Sequence, residues 1–474
     1  MTNLLFIAID AATWKVINPL MQKGSLPTIS SLVKEGVSAP LQSLPGYKSP
    51  ALWMSIATGK MPEKTGITYF SNLFLDLPKK NYKKDLTNHF LVDWPLRLGK
   101  LFSQDLKSPS KATIKCKQAY IYSMLKYGNL LAKWNLGGNY LITSSFLKEK
   151  TIWDILSEEK ISCGVVSWLV TWPADPVYGA LISQKTIEGL RDLENSILLY
   201  KSKGEGNLMY PATMLQKVKK LNKTPSEIND TEIETFFESL TTEEKEQVKS
   251  MQFKKTNLFN FFARVYLSDC FSGKSALHVK AKLNPQFLTV YFPGLDGIQH
   301  MFWQYMKPEE FPFISYLQEE LKKFGKVIEK YYAFLDQQIS TLIDNDTIVI
   351  IASDHGMEAI PQQQYNQQTL RSGQHEDSPD GVLIMKGSPL KKDFKLASAH
   401  ILDLAPTVLY LLGKEIDEDM DGSILTEAID PDFLQNNPPK KKKYGKREPK
   451  EYSFYTEAEE QKVKERLKVL GYLD

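Results

Sequence analysis

Three short runs, apolar but for one threonine in each of the last two, constrain this chain more than any other feature. Leu4–Ile9 (LLFIAI) runs straight into Asp10, Phe287–Phe292 (FLTVYF) leads to Gly294-Leu295-Asp296, and Thr347–Ala352 (TIVIIA) leads to Ser353-Asp354-His355. A strand that is apolar or β-branched at nearly every position is buried on both faces, as in a parallel sheet covered by helices on both sides. Polar residues at the ends of such strands collect along one rim of the sheet, where open α/β sheets place their sites. The intervening pattern supplies the helices. Trp14–Met21 and Pro27–Glu35 are helical, the second with Pro in its first turn and Gly36 as its stop. Ala51–Thr58 ends at Gly59, and Ala397–Leu412 ends at Gly413. Val382–Met385 reads as another strand, and Ile152–Leu156, Ser162–Ser167 and Trp168–Pro176 as a helix, a strand and a loop.

The chain therefore reads as α/β, a doubly wound sandwich with a mostly parallel central sheet. A length of 474 residues also leaves room for an insertion, since domains average roughly 150 residues. Residues 1–78 form the first part of the core and 151–185 a core strand and loop. Residues 286–430 complete the core. Two stretches, 79–150 and 186–285, lack the core pattern and read as an inserted, mainly helical cap. Thr241-x-x-Glu244 is a capping box there. A basic linker, 431–455, precedes a terminal amphipathic helix, 456–474, with Val463, Leu467 and Leu470 on its apolar stripe.

A composition of 42% hydrophobic and 24% charged residues excludes a disordered chain or a fibre. No apolar run approaches the ~18 residues of a membrane-spanning helix, and Met1-Thr2-Asn3 lacks the basic start of a secretory leader. Cys116, Cys163 and Cys270 are odd in number and widely scattered, so the expected setting is reduced and cytoplasmic. Residues 440–450 (KKKKYGKREPK) hold seven basic residues and one acid, while the net charge of the chain is only +3. That segment reads as a solvated linker that could touch anionic surfaces, and no nucleic-acid motif accompanies it.

The chemistry is concentrated in the six histidines. Asp296-x-x-x-His300 puts both side chains on one face if a helix begins at Gly294. Asp354-His355 sit at a strand end, His375 lies in a Gly/Ser/Asp-rich loop, and Asp10 closes the first strand. Any one of these could be a hydrogen-bonded structural pair. Together they are a donor set suited to Zn²⁺ or Mn²⁺. His400 reads as a satisfied helical histidine, and His89 and His278 as surface residues. Trp53, Trp168, Trp172 and Trp303 are core residues before they are pocket residues.

These segments resemble the alkaline phosphatase superfamily, and within it the type I phosphodiesterase/nucleotide pyrophosphatase group. The matching stretches are IAIDAATW with LPTISSLVKEG; SPALWMSIATGKMPEKTGI; VVSWLVTWPADPVYG; YFPGLDGIQHMFW; IIASDHGME; SGQHEDSPDGVLIMKG; and LDLAPTVLYLLG with DMDG. The resemblance implies an alkaline-phosphatase-like core and two divalent ions. Asp10, Asp354 and His355 would hold one, and Asp296, His300 and His375 the other. It also implies a nucleophile, Ser49, whose oxygen bridges both metals and forms a phosphoseryl intermediate. Read from the residues alone, Ser49 favours extended backbone before Pro50 and caps the next helix.

The match departs in two places. The family's Asn, three residues after the nucleophile, is Leu52 here, and Pro50 has no N–H to offer an oxyanion. Lys48, Lys60 and Gln299 are candidates for that role. A sulfatase-like enzyme lacks its Pro and Arg in Ser49-Pro50-Ala51-Leu52-Trp53. A phosphoglycerate mutase has another domain arrangement, and a non-enzymatic binding protein would have lost ligands. The expected activity is two-metal hydrolysis of a small-molecule, lipid or glycan phosphate ester. Diesters are expected over monoesters, because no arginine lies between Leu41 and Thr68 to offset the extra charge.

Overall fold

The strand β1 (Leu4–Ile9) is buried at all six positions and lies near the middle of a ten-stranded sheet. The computed structural model describes residues 3–77, 82–85, 111–133, 137–186, 208–252, 257–366, 370–376, 379–451, 459–461 and 463–465. The other principal strands are β2 (Val37–Gln42), β3 (Cys163–Val166), β4 (Gly179–Ile182), β5 (Phe287–Phe292), β6 (Ile348–Ala352) and β7 (Gly381–Lys386). Their order is β2-β7-β6-β1-β5-β3-β4. From β6 to β4 every pairing is parallel, with Ala8 level with Ala352 and Ile9 with Phe292. β7 runs antiparallel to both β6 and β2.

Alternation along β1 divides the interior into two cores. Leu5, Ile7 and Ile9 face one side, with α1 (Trp14–Gln22), α2 (Pro27–Glu35), α4 (Leu258–Leu283), α5 (Gly294–Met306) and α6 (Val327–Leu342). Leu4, Phe6 and Ala8 face the other, with α3 (Ser49–Thr58), the helix Ile152–Glu158 and α7 (Leu404–Leu411). Fully burying each large side chain contributes roughly 1.5–3 kcal/mol, which is why a strand this apolar occupies the interior. The helix α2 is capped from afar. The buried Asp336 carboxylate accepts the Thr28 and Ile29 N–H groups at 3.1 and 2.7 Å, as the unsatisfied donors and dipole of a helix start require.

Three regions differ from the reading above. Ala397–Leu412 is not one helix: Ala399–His400 pairs with β2, and α7 begins only after a tight turn at Ile401–Asp403. His400 Nδ1 accepts the Leu402 N–H and Asp403 accepts the His400 N–H, so this pair caps the turn and ends the extended chain. Within 186–285, the Thr241/Glu244 capping box forms, whereas α4 packs on β5 and β3 and contributes to the core. The first insertion is built on an antiparallel sheet of Ser71–Leu77, Tyr82–Asp85 and Gly137–Leu141, with the helix Lys111–Lys133 against it.

The basic segment is docked rather than free. Lys441–Lys442 pairs with Ile416–Asp417. Lys442 meets Glu159 at 2.8 Å, and Arg447 meets Asp154 at 3.3 Å and also pairs with Asp175. Tyr444 is buried. Much of the charge that could face an anionic surface is thus matched by acids of the core. Of the terminal helix only 459–461 and 463–465 are described; Val463 packs against the core, and Leu467 and Leu470 lie outside the described residues. Among the described residues no helix is long and apolar enough to cross a membrane.

Candidate active site

Because β1, β5 and β6 are parallel neighbours, their C-terminal ends bring Asp10, Asp296 and Asp354 to one rim. The chain leaves β1 sharply: Ala11 has φ 61, a left-handed conformation that costs a residue with a side chain of order 1–3 kcal/mol. Neighbours hold it there. Ala12 N–H donates to Ser353 Oγ at 2.8 Å, and Gln299 Nε2 donates to Ala11 O at 2.7 Å. The helix α5 begins at Gly294, so Asp296 and His300 share one face, with Oδ1 and Nε2 3.2 Å apart. His375 arrives on a strand lying across α5. Gly373 permits this approach, since a Cβ there would sit 2.5 Å from Gln299 O, and Ser372 N–H donates to His300 O at 2.7 Å.

Two compact donor sets result. One is Asp10, Asp354 and His355; the other is Asp296, His355 and His375, with one donor atom from each residue within 4.8 Å of the others in its set. The second set therefore contains His355, where the sequence reading had His300. One imidazole nitrogen ligates one ion, so two ions at once call on His300, which stands beside Asp296. His300 Nδ1 lies 2.7 Å from Gly373 O and His355 Nδ1 2.9 Å from Gly356 O. An N–H on each Nδ1 leaves each Nε2 lone pair facing the cluster, the usual second contact of a metal-ligating histidine.

The electrostatics fit a cation. Asp10 Oδ1 and Asp354 Oδ2 are buried without a hydrogen-bond donor. Burial, and then the charge of Asp296, raises the Asp10 carboxyl to about 7. Burial and Asp10 push Asp354 well above the carboxylate range. Burial lowers His355 to about 4 and also holds His375 well below the ordinary imidazole value. Acids too crowded to ionise together, facing neutral imidazoles, form a donor set that a divalent ion completes.

Ser49 opens α3, with Lys48 rather than Ser49 as the residue preceding the helix, so its hydroxyl is not used as a cap. Ser49 Oγ lies 3.3 Å from Nε2 of His355, the residue common to both donor sets. Ser55 and Thr58, further along α3, are fully buried, and Thr58 donates to Met54 O.

The three candidate substrate contacts separate. Lys48 stays at the site, its Nζ 3.8 Å from Glu376 Oε1. Gln299 is committed to structure: its amide nitrogen holds Ala11 O, and its oxygen accepts from Tyr332 at 3.2 Å. Lys60 lies beyond the opposite end of α3, about 15 Å along the axis at ~1.5 Å per residue. Its ammonium is locked between Glu149 and Asp417, both at 2.7 Å, and Asp419 at 3.3 Å. Sequence reasoning missed Arg371, whose Nε is 3.4 Å from His300 Nδ1 and whose Nη2 is 2.7 Å from Glu376 Oε1. It is one of six arginines and stands four residues before His375, a weak signal that was available. Despite burial, Arg371 and Lys48 draw Glu376 down to about 2.

Trp53 stacks edge-on against Trp168 and Tyr291 behind the rim, and Tyr291 donates to Asp10. Trp303 donates to Glu310, and Trp172 lies under the Lys185 ammonium at 3.4 Å. His278 is half-buried, His400 is buried away from solvent, and His89 lies outside the described residues.

A family model of type I phosphodiesterase/nucleotide pyrophosphatase matches residues 4–467. The chain belongs to that family. It is thus a member of a phosphodiesterase-type hydrolase family, which accords with its large, mostly parallel sheet. Among solved structures, human ectonucleotide pyrophosphatase/phosphodiesterase 5 is similar at 11% identity and a TM-score of 0.41, over 92% of this chain and 99% of that one. An inactive murine form of the same protein, in complex with AMP, aligns at 11% identity and a TM-score of 0.40, over 87% and 96%. No curated protein sequence matches.

Proposed function

We propose that this chain hydrolyses phosphodiesters through a phosphoseryl intermediate on Ser49, with two divalent ions, Zn²⁺ or Mn²⁺, held by Asp10, Asp354 and His355 and by Asp296, His300 and His375. The observation that carries the reading is the 3.3 Å approach of Ser49 Oγ to Nε2 of His355, the residue common to both donor sets. Bound ions would supply Lewis acidity toward the hydroxyl and the phosphoryl oxygens. The protein positions the reactants. Ser49 Oγ forms a bond to phosphorus as the ester P–O bond breaks; the Ser49 proton is lost and the departing alkoxide gains one from solvent. Water then attacks the same phosphorus, the Oγ–P bond breaks, and Ser49 regains its proton. Ser49 is the first residue of α3, so the helix dipole would favour a phosphate bound there. Lys48 and Arg371 give the rim positive charge that Glu376 partly cancels, and that balance supports a singly charged diester over a monoester.

Acid-quenched turnover of bis(p-nitrophenyl) phosphate should leave a p-nitrophenylphosphoryl group, which keeps the second ester, on the Ser49 peptide by mass spectrometry. Ser49→Ala should lose the adduct and about 10³-fold or more in kcat while remaining folded. A Ser49→Ala enzyme within tenfold of the parent would mean that water attacks directly. A higher kcat/KM for p-nitrophenyl phosphate than for the diester would make this a monoesterase.

A further inference from the structure

The insertion 71–141 carries a charge that its own acids are too few to balance. It holds twelve lysines and arginines against four acids, a net of +8, in a chain whose net charge is +3, so the remainder is −5. The basic segment at 440–450 meets core acids; the described part of the insertion's helix contrasts with it. Its helix Lys111–Lys133 contains five lysines and no acid in 23 residues. Tyr120, Met124 and Gly128 turn inward, where Gly128 sits against Asn139. The opposite face presents Lys115, Tyr122, Lys126, Leu130 and Lys133, with Tyr127 at its edge. Tyr122 is 68% exposed, Leu130 41% and Tyr127 40%. Among the described residues no carboxylate pairs with Lys115, Lys126 or Lys133.

From this face we infer that the helix Lys111–Lys133 docks on an anionic lipid surface, lying in its plane. Basic side chains drawn to acidic headgroups, alternating with tyrosines and a leucine able to enter the headgroup region, make up the pattern of an interfacial helix. Tyrosine suits that boundary, with an apolar ring and a polar tip. The face spans nearly five turns, from Lys115 to Lys133, at ~3.6 residues per turn, long enough for all three lysines to reach one flat surface. Leu130 and two exposed tyrosines favour a bilayer over a nucleic acid, whose backbone offers lysines charge but gives leucine no apolar layer. The inference stands apart from the chemistry at Ser49.

The test is vesicle flotation of the full chain, with phosphatidylcholine alone and with phosphatidylcholine containing phosphatidylserine. Binding is expected only to the anionic vesicles and should fall as salt rises. The triple variant Lys115→Glu, Lys126→Glu, Lys133→Glu should bind at least about 10²-fold more weakly, at ~1 kcal/mol per lysine near the surface. Tyr122→Ser with Leu130→Ser, which leaves the charge unchanged, should also weaken binding. Both variants should retain the parent circular dichroism and the parent rate on a soluble diester. Failure to float with anionic vesicles at low salt would overturn the inference. So would a triple variant that binds as tightly as the parent, or a single-stranded oligonucleotide that binds this face while vesicles do not.

Discussion

The molecule buries two groups of carboxylates, and they are built on opposite plans. At the far end of α3, Glu149 and Asp417 surround Lys60, all three nearly inaccessible. Burial works against the lysine charge, but the hydrogen bonds the ammonium donates to Asp417 and Glu149 more than offset it and raise Lys60 above its ordinary value. At the sheet rim, Asp10, Asp296 and Asp354 face the imidazoles of His355 and His375, which burial holds neutral. Among the described residues, Lys48 and Arg371 beside them are already engaged by Glu376. One cluster is neutralised by a side chain that cannot leave; the other calls for a charge from outside. A fixed ammonium makes a structural joint, whereas a donor set without one can bind a removable ion and do chemistry.

The largest effect should come from the rim. Asp354→Ala should lower bound metal by elemental analysis and activity by about 10³-fold or more, and a chelator should do the same to the parent. Full activity in excess chelator would collapse the distinction between the clusters. Next comes Lys60→Met, which removes the ammonium the two buried carboxylates share and leaves Glu149 only the exposed Lys446 at 3.6 Å. It should cost about 3–5 kcal/mol in denaturant unfolding while metal content per folded molecule stays at the parent level. Loss of metal with little loss of stability would reverse the two roles.

Smaller effects sharpen the contrast. Glu376→Gln frees Lys48 and Arg371 to face substrate, so the ratio of kcat/KM for monoester over diester should rise about tenfold, one charge-assisted contact's worth. An unchanged ratio would mean that neither cation reaches the phosphate. Arg447→Gln, which undocks the basic segment from Asp154 and Asp175, should lower stability by about 1–3 kcal/mol and leave diesterase kinetics unchanged.

The parts of this molecule written in contiguous residues were legible beforehand. Leu4–Ile9 and Phe287–Phe292 form strands with the bounds their apolar runs implied, because no helix or surface strand tolerates such continuity. Pro27 and Gly36 likewise bounded α2. Asp296 and His300 depended only on helical spacing. Where competing local chemistry intervened, reading failed: the apolar run from Ala397 conceals a His400–Asp403 cap that splits it.

What the sequence determined by itself was the layered α/β plan and the residues that could carry the chemistry, since periodicity and strand-end polarity are local properties. Tertiary structure alone decided which charges meet. Lys60 stands only eleven residues from Ser49, yet its partners Glu149 and Asp417 remove it from the site. Arg371, more than three hundred residues from Lys48, converges with it on Glu376. His355, not His300, joins the compact set around Asp296 and His375. Electrostatic energy depends on separation in space and on local burial, and neither is encoded by distance along the chain.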